Sequence, residues 1–119
     1  RVYGSSQRQL FARAASAMFA LEGIDPTRSI TVARILHVTA DGTPDLLVGW
    51  LNRLLLGQET AGEVYNRFRI HEISDRGLRG EAYGYQGAPL HTVVKAATYY
   101  DLDVTRAVGR WTATVTLDV

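Results

Sequence analysis

The sequence contains no cysteine and only one lysine, Lys95, among its 119 residues. The absence of cysteine excludes disulfides, zinc–thiolate sites and cysteine nucleophiles. Arginine supplies the rest of the basic side chains, and the formal net charge is only +1. A charge this small produces no strong global field that would select an acidic or a basic partner.

Long apolar runs are also missing. No run reaches the roughly 18 residues that a membrane span requires, and no basic segment followed by an apolar one opens the chain. We therefore expect a cytoplasmic protein that does not associate with membranes. Hydrophobic residues make up 46% and charged residues 21% of the chain, which is typical of a folded domain. The length suits a single domain over residues 1–119.

Apolar residues recur at helical spacing in the first fifth of the chain. Ser6 followed by Gln9 predicts a capping box, in which each side chain satisfies a backbone N–H at the helix start. The apolar stripe then continues to about Glu22, and Gly23 can adopt the left-handed conformation that ends a helix. The sequence thus predicts a first helix that begins after Ser6.

A second apolar stripe begins after Thr43-Pro44, where a capping hydroxyl precedes a proline suited to the first helical position. The stripe includes Trp50 and extends to Leu56, which predicts a helix ending near Gly57. So many apolar positions indicate a helix that packs on more than one side.

The remaining chain is rich in β-branched residues at alternating positions. Arg34 interrupts the apolar face of the first long strand, which predicts a bulge or an early end there. The first four residues have the character of the end of a further strand. Strands are predicted over residues 29–39, 64–73, 78–85, 92–104 and 110–119. The element order predicts an α+β fold with two helices packed on one face of a mostly antiparallel sheet.

Two oxygen-donor groups meet at the carboxyl end. Asp118 lies on the polar face of the last strand, and Val119 carries the terminal carboxylate. Consecutive carboxylates can bind a hard divalent cation such as Ca²⁺, Mg²⁺ or Mn²⁺, which would relieve their mutual repulsion. The alternative interpretation is a solvated chain end with a surface aspartate.

Lys95 is a second candidate functional residue, since it shares a predicted strand face with Tyr99, Asp101 and Asp103. A lysine in mid-strand needs an anionic partner or a lowered pKa if it is buried, but it can also extend its ammonium group into solvent. His91 lies in a glycine- and proline-containing loop just before this strand, where a local polar role is open to it. These residues are therefore candidates for partner contact.

Tyr65, Arg67 and Arg69 alternate along another predicted strand and would share one face. Arginine charge and aromatic stacking on one face could contact RNA. The simpler interpretation is a solvated strand face.

Several of these segments, in this order, resemble the archease family. The matching stretches cover nearly the whole chain: Tyr3-Gly4-Ser5-Ser6 with Leu10-Phe11 and Ala17-Met18, Asp45 to Leu55, Val94 to Tyr99, and Leu117-Asp118-Val119. The strings Leu-Leu-Val-x-Trp-Leu-Asn and Val-Lys-Ala-x-Thr-Tyr together are fairly specific.

The resemblance implies a small cytosolic helper of an RtcB-type RNA ligase rather than an enzyme. Such a helper stimulates guanylylation and turnover of the ligase, which uses GTP itself and contacts the RNA. The resemblance also implies a metal-binding role for Asp118 and Val119, and a functional role for Lys95. The chain departs from the family pattern at three places. The family's His-x-x-Asp segment would lie before Arg1, and Tyr100-Asp101 stands where the family has a small or imidazole residue followed by glycine. The 84–91 loop is also short for the family.

Two other functions remain open from the residues alone. A stand-alone hydrolase would use Asp118, Asp101 or Asp103 to hold Mg²⁺ or Mn²⁺ and activate water. A small binding module would use Arg67, Arg69 and exposed tyrosines to contact RNA or protein.

Overall fold

The computed structural model describes all residues from Arg1 to Val119. It contains two helices and six strands, which fall into two three-stranded antiparallel sheets with the orders β1-β6-β5 and β2-β4-β3. The elements are β1 (Val2–Gly4), α1 (Gln7–Leu21), β2 (Val32–Thr39), α2 (Thr43–Ala61), β3 (Glu63–Ile73), β4 (Gly77–Gln86), β5 (Ala96–Ala107) and β6 (Arg110–Asp118).

The predicted α+β class and its two helices are confirmed, but the strands form two sheets where one was expected. Each of the hairpins β3–β4 and β5–β6 recruits its third strand from earlier in the chain, β2 in one case and β1 in the other. Alternation along a strand reports which side chains face the core, but not which strands become neighbours. The division into two sheets is therefore a tertiary feature.

Helix α1 begins as predicted. Ser6 Oγ accepts a hydrogen bond from the Gln9 backbone N–H at 3.0 Å. In a capping box, the Gln9 side chain would accept in return from the Ser6 backbone N–H. Here Gln9 Oε1 accepts from the Ser5 backbone N–H instead, at 2.7 Å. Gly23 follows the helix with φ +81°, as expected for a left-handed stop.

Helix α2 passes Gly57 and ends at Ala61, with Gly62 in the left-handed conformation at φ 65°. The predicted end at Gly57 was therefore wrong. A Cβ at Gly57 would lie 2.3 Å from Tyr65 Oη, so this glycine allows the tyrosine to pack against the helix. Its role is close packing rather than helix termination.

Arg34 does not interrupt β2, because β2 pairs with β4 without a bulge from Val32 to Thr39. The Arg34 guanidinium instead reaches the buried carboxylate of Glu63 on β3 in a bidentate ion pair, with N–O distances of 3.0 and 2.5 Å. The predicted bulge was wrong. A charged side chain can occupy this strand because its ionic partner lies on another strand.

Both helices contact both sheets, and the 24 buried apolar residues form one core. Trp50 on α2 is fully buried, and its indole N–H donates to the Phe11 carbonyl of α1 at 3.1 Å. Neither helix combines the length and apolar content needed to cross a membrane.

Candidate functional site

The two strings that carry the family resemblance meet at Asn52. Its Nδ2 donates to the Ala97 carbonyl at 3.0 Å, and its Oδ1 accepts from the Ala97 N–H at 2.7 Å. Strand β5 is an edge strand, so these backbone groups point away from β6 and need a partner. The Asn52 amide takes the place of a neighbouring strand and ties α2 to β5.

Asp118 and Lys95 lie next to each other at one end of this sheet. The Lys95 backbone N–H donates to the Asp118 carbonyl at 2.7 Å, and Ala96 is the residue paired opposite Asp118. Both side chains and Val119 are exposed. Strand β1 also pairs with β6, with Val2 opposite Ala113, so the first residues lie against the strand that ends in Asp118.

The carboxyl end provides hard oxygen donors, but it does not enclose a metal ion. No three His, Cys, Asp or Glu side chains gather into a metal-binding group anywhere in the structure. Ca²⁺ takes six to eight oxygen ligands and Mg²⁺ takes six in octahedral geometry. Asp118 therefore offers a carboxylate of the right kind, but no cluster of further side chains completes a site beside it.

His91 lies in the segment Gly87–Lys95, which we call the 87–95 loop. The His91 backbone N–H donates to the Glu22 carbonyl at 3.1 Å, and a Cβ on Gly23 would lie 2.3 Å from the His91 ring. The ring is thus packed over Gly23 at the end of α1. At the far end of the loop, Lys95 borders a cavity of about 630 Å³ that Gln58 also lines.

Strand β5 begins at Ala96, and the prediction that it begins at residue 92 was wrong. The Val94 N–H donates to the Glu22 carboxylate at 2.9 Å instead of joining a strand ladder. A side chain from the end of α1 thus replaces the strand partner that alternation alone predicts.

Tyr99 and Asp101 lie in an irregular part of β5. Thr98 pairs with Thr116 and Asp103 pairs with Thr114. The chain thus advances five residues along β5 but only two along β6, so β5 contains three extra residues. Asp101 has φ 50°, the left-handed region that glycine adopts most easily. The chain thus uses aspartate at a position where the resemblance suggests glycine.

The cavity that Tyr99 borders is not the one that Lys95 borders. Tyr99 borders a shallow cavity of about 480 Å³ beside Asp45 and Gly49, in the first half of α2. Lys95 borders its cavity beside Gln58, in the last turns of the same helix. Because the helix rises about 1.5 Å per residue, Gly49 and Gln58 lie about 13 Å apart along its axis.

The predicted face of Tyr65, Arg67 and Arg69 is not formed. Tyr65 is buried, whereas both arginines are exposed. The pairing of β3 with β4 shifts between Tyr65 and Arg67, so Asn66 is an extra residue that reverses the facing of the side chains before it. The two arginines remain on the solvent side without the stacking partner that was expected.

Sequence reasoning missed Glu22, which is fully buried at the C-terminal cap of α1. Burial raises the pKa of the Glu22 carboxyl, while hydrogen bonds from Gln58 and Val94 oppose that shift. No signal in the chain marks it, because a glutamate before Gly23 resembles an ordinary solvated helix end. The role of Asn52 was also missed, although its motif was recognised.

The pKa of Glu63 shifts in the opposite direction to that of Glu22. The Arg34 guanidinium holds the pKa of Glu63 below its usual value of 4.5, aided by the Tyr65 hydroxyl, which donates to Glu63 Oε1 at 2.9 Å. A lowered folded-state pKa contributes stability above pH 4.5, and this stability is lost as the pH falls through the folded pKa.

We expect Arg34→Met to lower the melting temperature at pH 7 by roughly 3–5 °C, since it leaves a buried carboxylate without its cation. The loss is smaller than for a fully buried pair because the Arg34 side chain is 54% exposed and solvent screens the interaction. The difference in melting temperature between the variant and the unmodified protein should shrink below pH 4.5, where Glu63 becomes protonated. Thermal melts from pH 3 to 8 measure this. Arg79→Met is the control, because Arg79 pairs with the exposed Glu72 at 3.4 Å and should matter little. Equal losses for both variants at pH 7 would contradict the assignment.

The fold and the contact between α2 and β5 define a class of small α+β proteins with two helices packed against two three-stranded antiparallel sheets. The model of the Archease protein family (MTH1598/TM1083) matches residues 1–119, so the chain belongs to the archease family.

Known archeases align along the whole chain. Protein archease of Methanosarcina barkeri is 31% identical over 129 residues, covering 100% of this chain and 87% of that protein. Protein archease of Methanopyrus kandleri is 30% identical over 132 residues, with 100% and 90% covered. The residue-based resemblance to this family is therefore confirmed.

Two solved structures share the fold. The crystal structure of a Thermotoga maritima archease, described as a possible chaperone, superimposes with a TM-score of 0.76 at 21% identity over 99% of this chain and 87% of that one. The solution structure of Methanobacterium thermoautotrophicum protein 1598 gives a TM-score of 0.75 at 26% identity, with 99% and 89% covered.

Proposed function

We propose that this archease is a cytoplasmic protein cofactor that stimulates guanylylation and turnover of an RtcB-type RNA ligase in tRNA splicing or RNA repair. Membership of the archease family supports the proposal. The observation that carries it is the 2.7 Å hydrogen bond from the Lys95 N–H to the Asp118 carbonyl. This bond joins the acidic chain end and the single lysine into one exposed edge that a partner can reach.

The proposal assigns the ligase chemistry to the ligase. GTP binds to the partner, and RNA contacts this chain only through the partner. Stimulation requires that the exposed edge bind one state of the ligase more tightly than another, because a ligand shifts an equilibrium only by its differential affinity. Asp118 supplies negative charge and Lys95 supplies positive charge to that contact.

Metal binding is part of the proposal in a restricted form. Asp118 and Val119 are two of the ligands of a divalent cation, Ca²⁺, Mg²⁺ or Mn²⁺, whose bound charge would neutralise phosphate oxygens. No cluster of three acidic or histidine side chains is present, so water or the ligase would supply the remaining ligands. His91, Tyr99 and Asp101 are proposed as additional partner contacts.

A guanylylation assay with the cognate ligase and this protein tests the proposal. We expect stimulation in the range of about 5- to 150-fold that is typical of coupling between two proteins, and a loss of most of it in Asp118→Asn. The change removes one exposed charge and leaves the β-ladder intact. Asp75→Asn in the β3–β4 turn removes the same charge from the other sheet and should stimulate normally.

Two outcomes contradict the proposal. One is a cognate ligase that the unmodified protein fails to stimulate, and the other is full stimulation by Asp118→Asn. Incubating RNA or nucleotides with the protein alone separates the remaining alternatives. Hydrolysis that chelation abolishes would favour a metal-dependent hydrolase, and steeply salt-dependent RNA binding would favour a binding module.

A further inference from the structure

Glu22 holds the 87–95 loop with both its backbone and its side chain. Its carbonyl accepts from the Leu90 N–H at 2.9 Å and from the His91 N–H at 3.1 Å. Its Oε2 accepts from the Val94 N–H at 2.9 Å. The loop that presents His91 and Lys95 is therefore fastened to the end of α1 by three hydrogen bonds to a single residue.

The Glu22 side chain also meets Gln58 of α2. Gln58 Nε2 donates to Glu22 Oε2 at 3.0 Å. The other oxygen of each group, Glu22 Oε1 and Gln58 Oε1, is buried without any hydrogen-bond partner. Two buried acceptors left unpaired on the same pair of side chains are exceptional in folded proteins and require an explanation.

One proton satisfies both oxygens. A carboxylate only accepts hydrogen bonds, whereas a carboxylic acid has one O–H donor. With the proton on Glu22 Oε1, the acid donates to Gln58 Oε1 while Gln58 Nε2 donates back to Glu22 Oε2. The two groups then form the cyclic pair that a carboxylic acid makes with a primary amide, and Oε2 remains free to hold Val94.

We propose that Glu22 is a positioning residue that, as a neutral carboxylic acid paired with Gln58, fixes the 87–95 loop beside Asp118. The position of the loop is coupled to Asp118 because the loop ends at Lys95, whose N–H donates to the Asp118 carbonyl. The functional part of this inference rests on the proposed ligase contact. The protonation state of Glu22 and its hydrogen bonds to the loop do not depend on that contact.

The surroundings of Glu22 favour the neutral acid. Burial raises the pKa of its carboxyl group, and no basic side chain forms an ion pair with it. The nearest charged or titratable residues on α2, on the loop and after α1 are exposed: Asp25, Glu59, His91 and Lys95. The buried Glu63 and Tyr65 of β3 bond to each other, and Glu63 also pairs with Arg34. The buried Tyr85 accepts from the Asp25 N–H.

The sign of the pH dependence follows from the raised pKa. The folded pKa lies above the unfolded one, so Glu22 stabilises the fold fully below the usual carboxyl pKa of 4.5. This stabilisation is lost as the pH rises through the folded pKa. Deprotonation removes the bond to Gln58 Oε1 and leaves a buried charge. The Val94 N–H binds a carboxylate more strongly than a neutral acid, but the cost of desolvating the charge is larger and favours opening of the loop.

The test compares the unmodified protein with Glu22→Gln and Glu22→Ala. Glutamine has the shape of the neutral acid, and its amide N–H replaces the O–H as donor to Gln58 Oε1. Amide hydrogen exchange at Leu90, His91 and Val94 from pH 5 to 9, corrected for the intrinsic rate, reports the anchoring of the loop. The ¹³C shift of the Glu22 carboxyl in the unmodified protein reports its protonation without any substitution.

We expect Glu22→Gln to keep the protection of these amides and to remove its pH dependence, and Glu22→Ala to raise their exchange at least tenfold. Glu59→Gln, an exposed neighbour of Gln58, should leave the pH dependence unchanged. A ¹³C titration at or below the usual pKa, or a tenfold loss of protection in Glu22→Gln at every pH, would overturn the inference in favour of an ionised Glu22. These measurements need no ligase, so they remain decisive if the proposed function fails.

Discussion

Gly84→Ala is expected to destabilise the protein more than any other change proposed here. A Cβ at this position would lie 1.8 Å from the Val64 carbonyl oxygen and 2.7 Å from the Tyr65 Cα. Both are backbone atoms of β3, so no side-chain rotation can make room, and the pairing of β4 with β3 must change. We expect a loss of about 3 kcal/mol, at the upper end of the range for overpacking. This lowers the melting temperature by about 12 °C.

Gly77→Ala is the matched control on the same strand. Its Cβ would meet only the Val38 carbonyl oxygen at 3.8 Å and Ser74 Oγ at 4.0 Å, which are ordinary contacts. We expect its melting temperature to stay within about 2 °C of that of the unmodified protein. If chemical denaturation gives the two variants equal free energies of unfolding, the close approach of β3 and β4 at Gly84 is wrong.

Asn52→Ala is expected to have the second largest effect. The change leaves both the N–H and the carbonyl of the buried Ala97 without a partner on the edge of β5. An unsatisfied buried polar group costs at least about 1 kcal/mol, so the two groups together should lower the free energy of unfolding by about 2 kcal/mol. Amide exchange at Ala97 should increase together with the global destabilisation, because the edge of β5 is opened.

Asn66→Ala provides a comparison in which an amide also loses two hydrogen bonds. Asn66 donates to the Asp25 and Arg28 carbonyls at 3.1 and 3.0 Å, in an exposed segment where water can replace it. Its loss should cost less than about 1 kcal/mol. A cost for Asn52→Ala as small as this would show that Asn52 does not anchor β5.

The boundaries that sequence reasoning predicted well are those with a local cause. The start of α1 depends on Ser6 and its own helix turn, and the left-handed Gly23 depends on the absence of a side chain. The boundaries that were wrong depend on residues far away in the chain. Gly57 does not end α2 because it contacts Tyr65, and the segment before Ala96 is not strand because Glu22 binds it.

The candidate site also contains residues that the sequence placed correctly and residues that it did not. Asp118 and Lys95 were identified as unusual residues from the chain alone, and the structure places them together. Alternation along one strand placed Tyr99 and Asp101 on the same predicted face as Lys95. Three extra residues in β5 break that alternation, and a bulge of this kind has no reliable signature in one sequence.

The sequence by itself determined the α+β class, the two helices, the family and the acidic end, because each depends on local spacing or on short strings of residues. Only the tertiary structure decided the division into two sheets, the pairing of Arg34 with Glu63 and the burial of Glu22 beside Gln58. The two side-chain pairs join residues that are 29 and 36 positions apart, and the sheet pairing of Val2 with Ala113 spans most of the chain. Their energies come from desolvation and long-range contact, which periodicity along a chain does not encode.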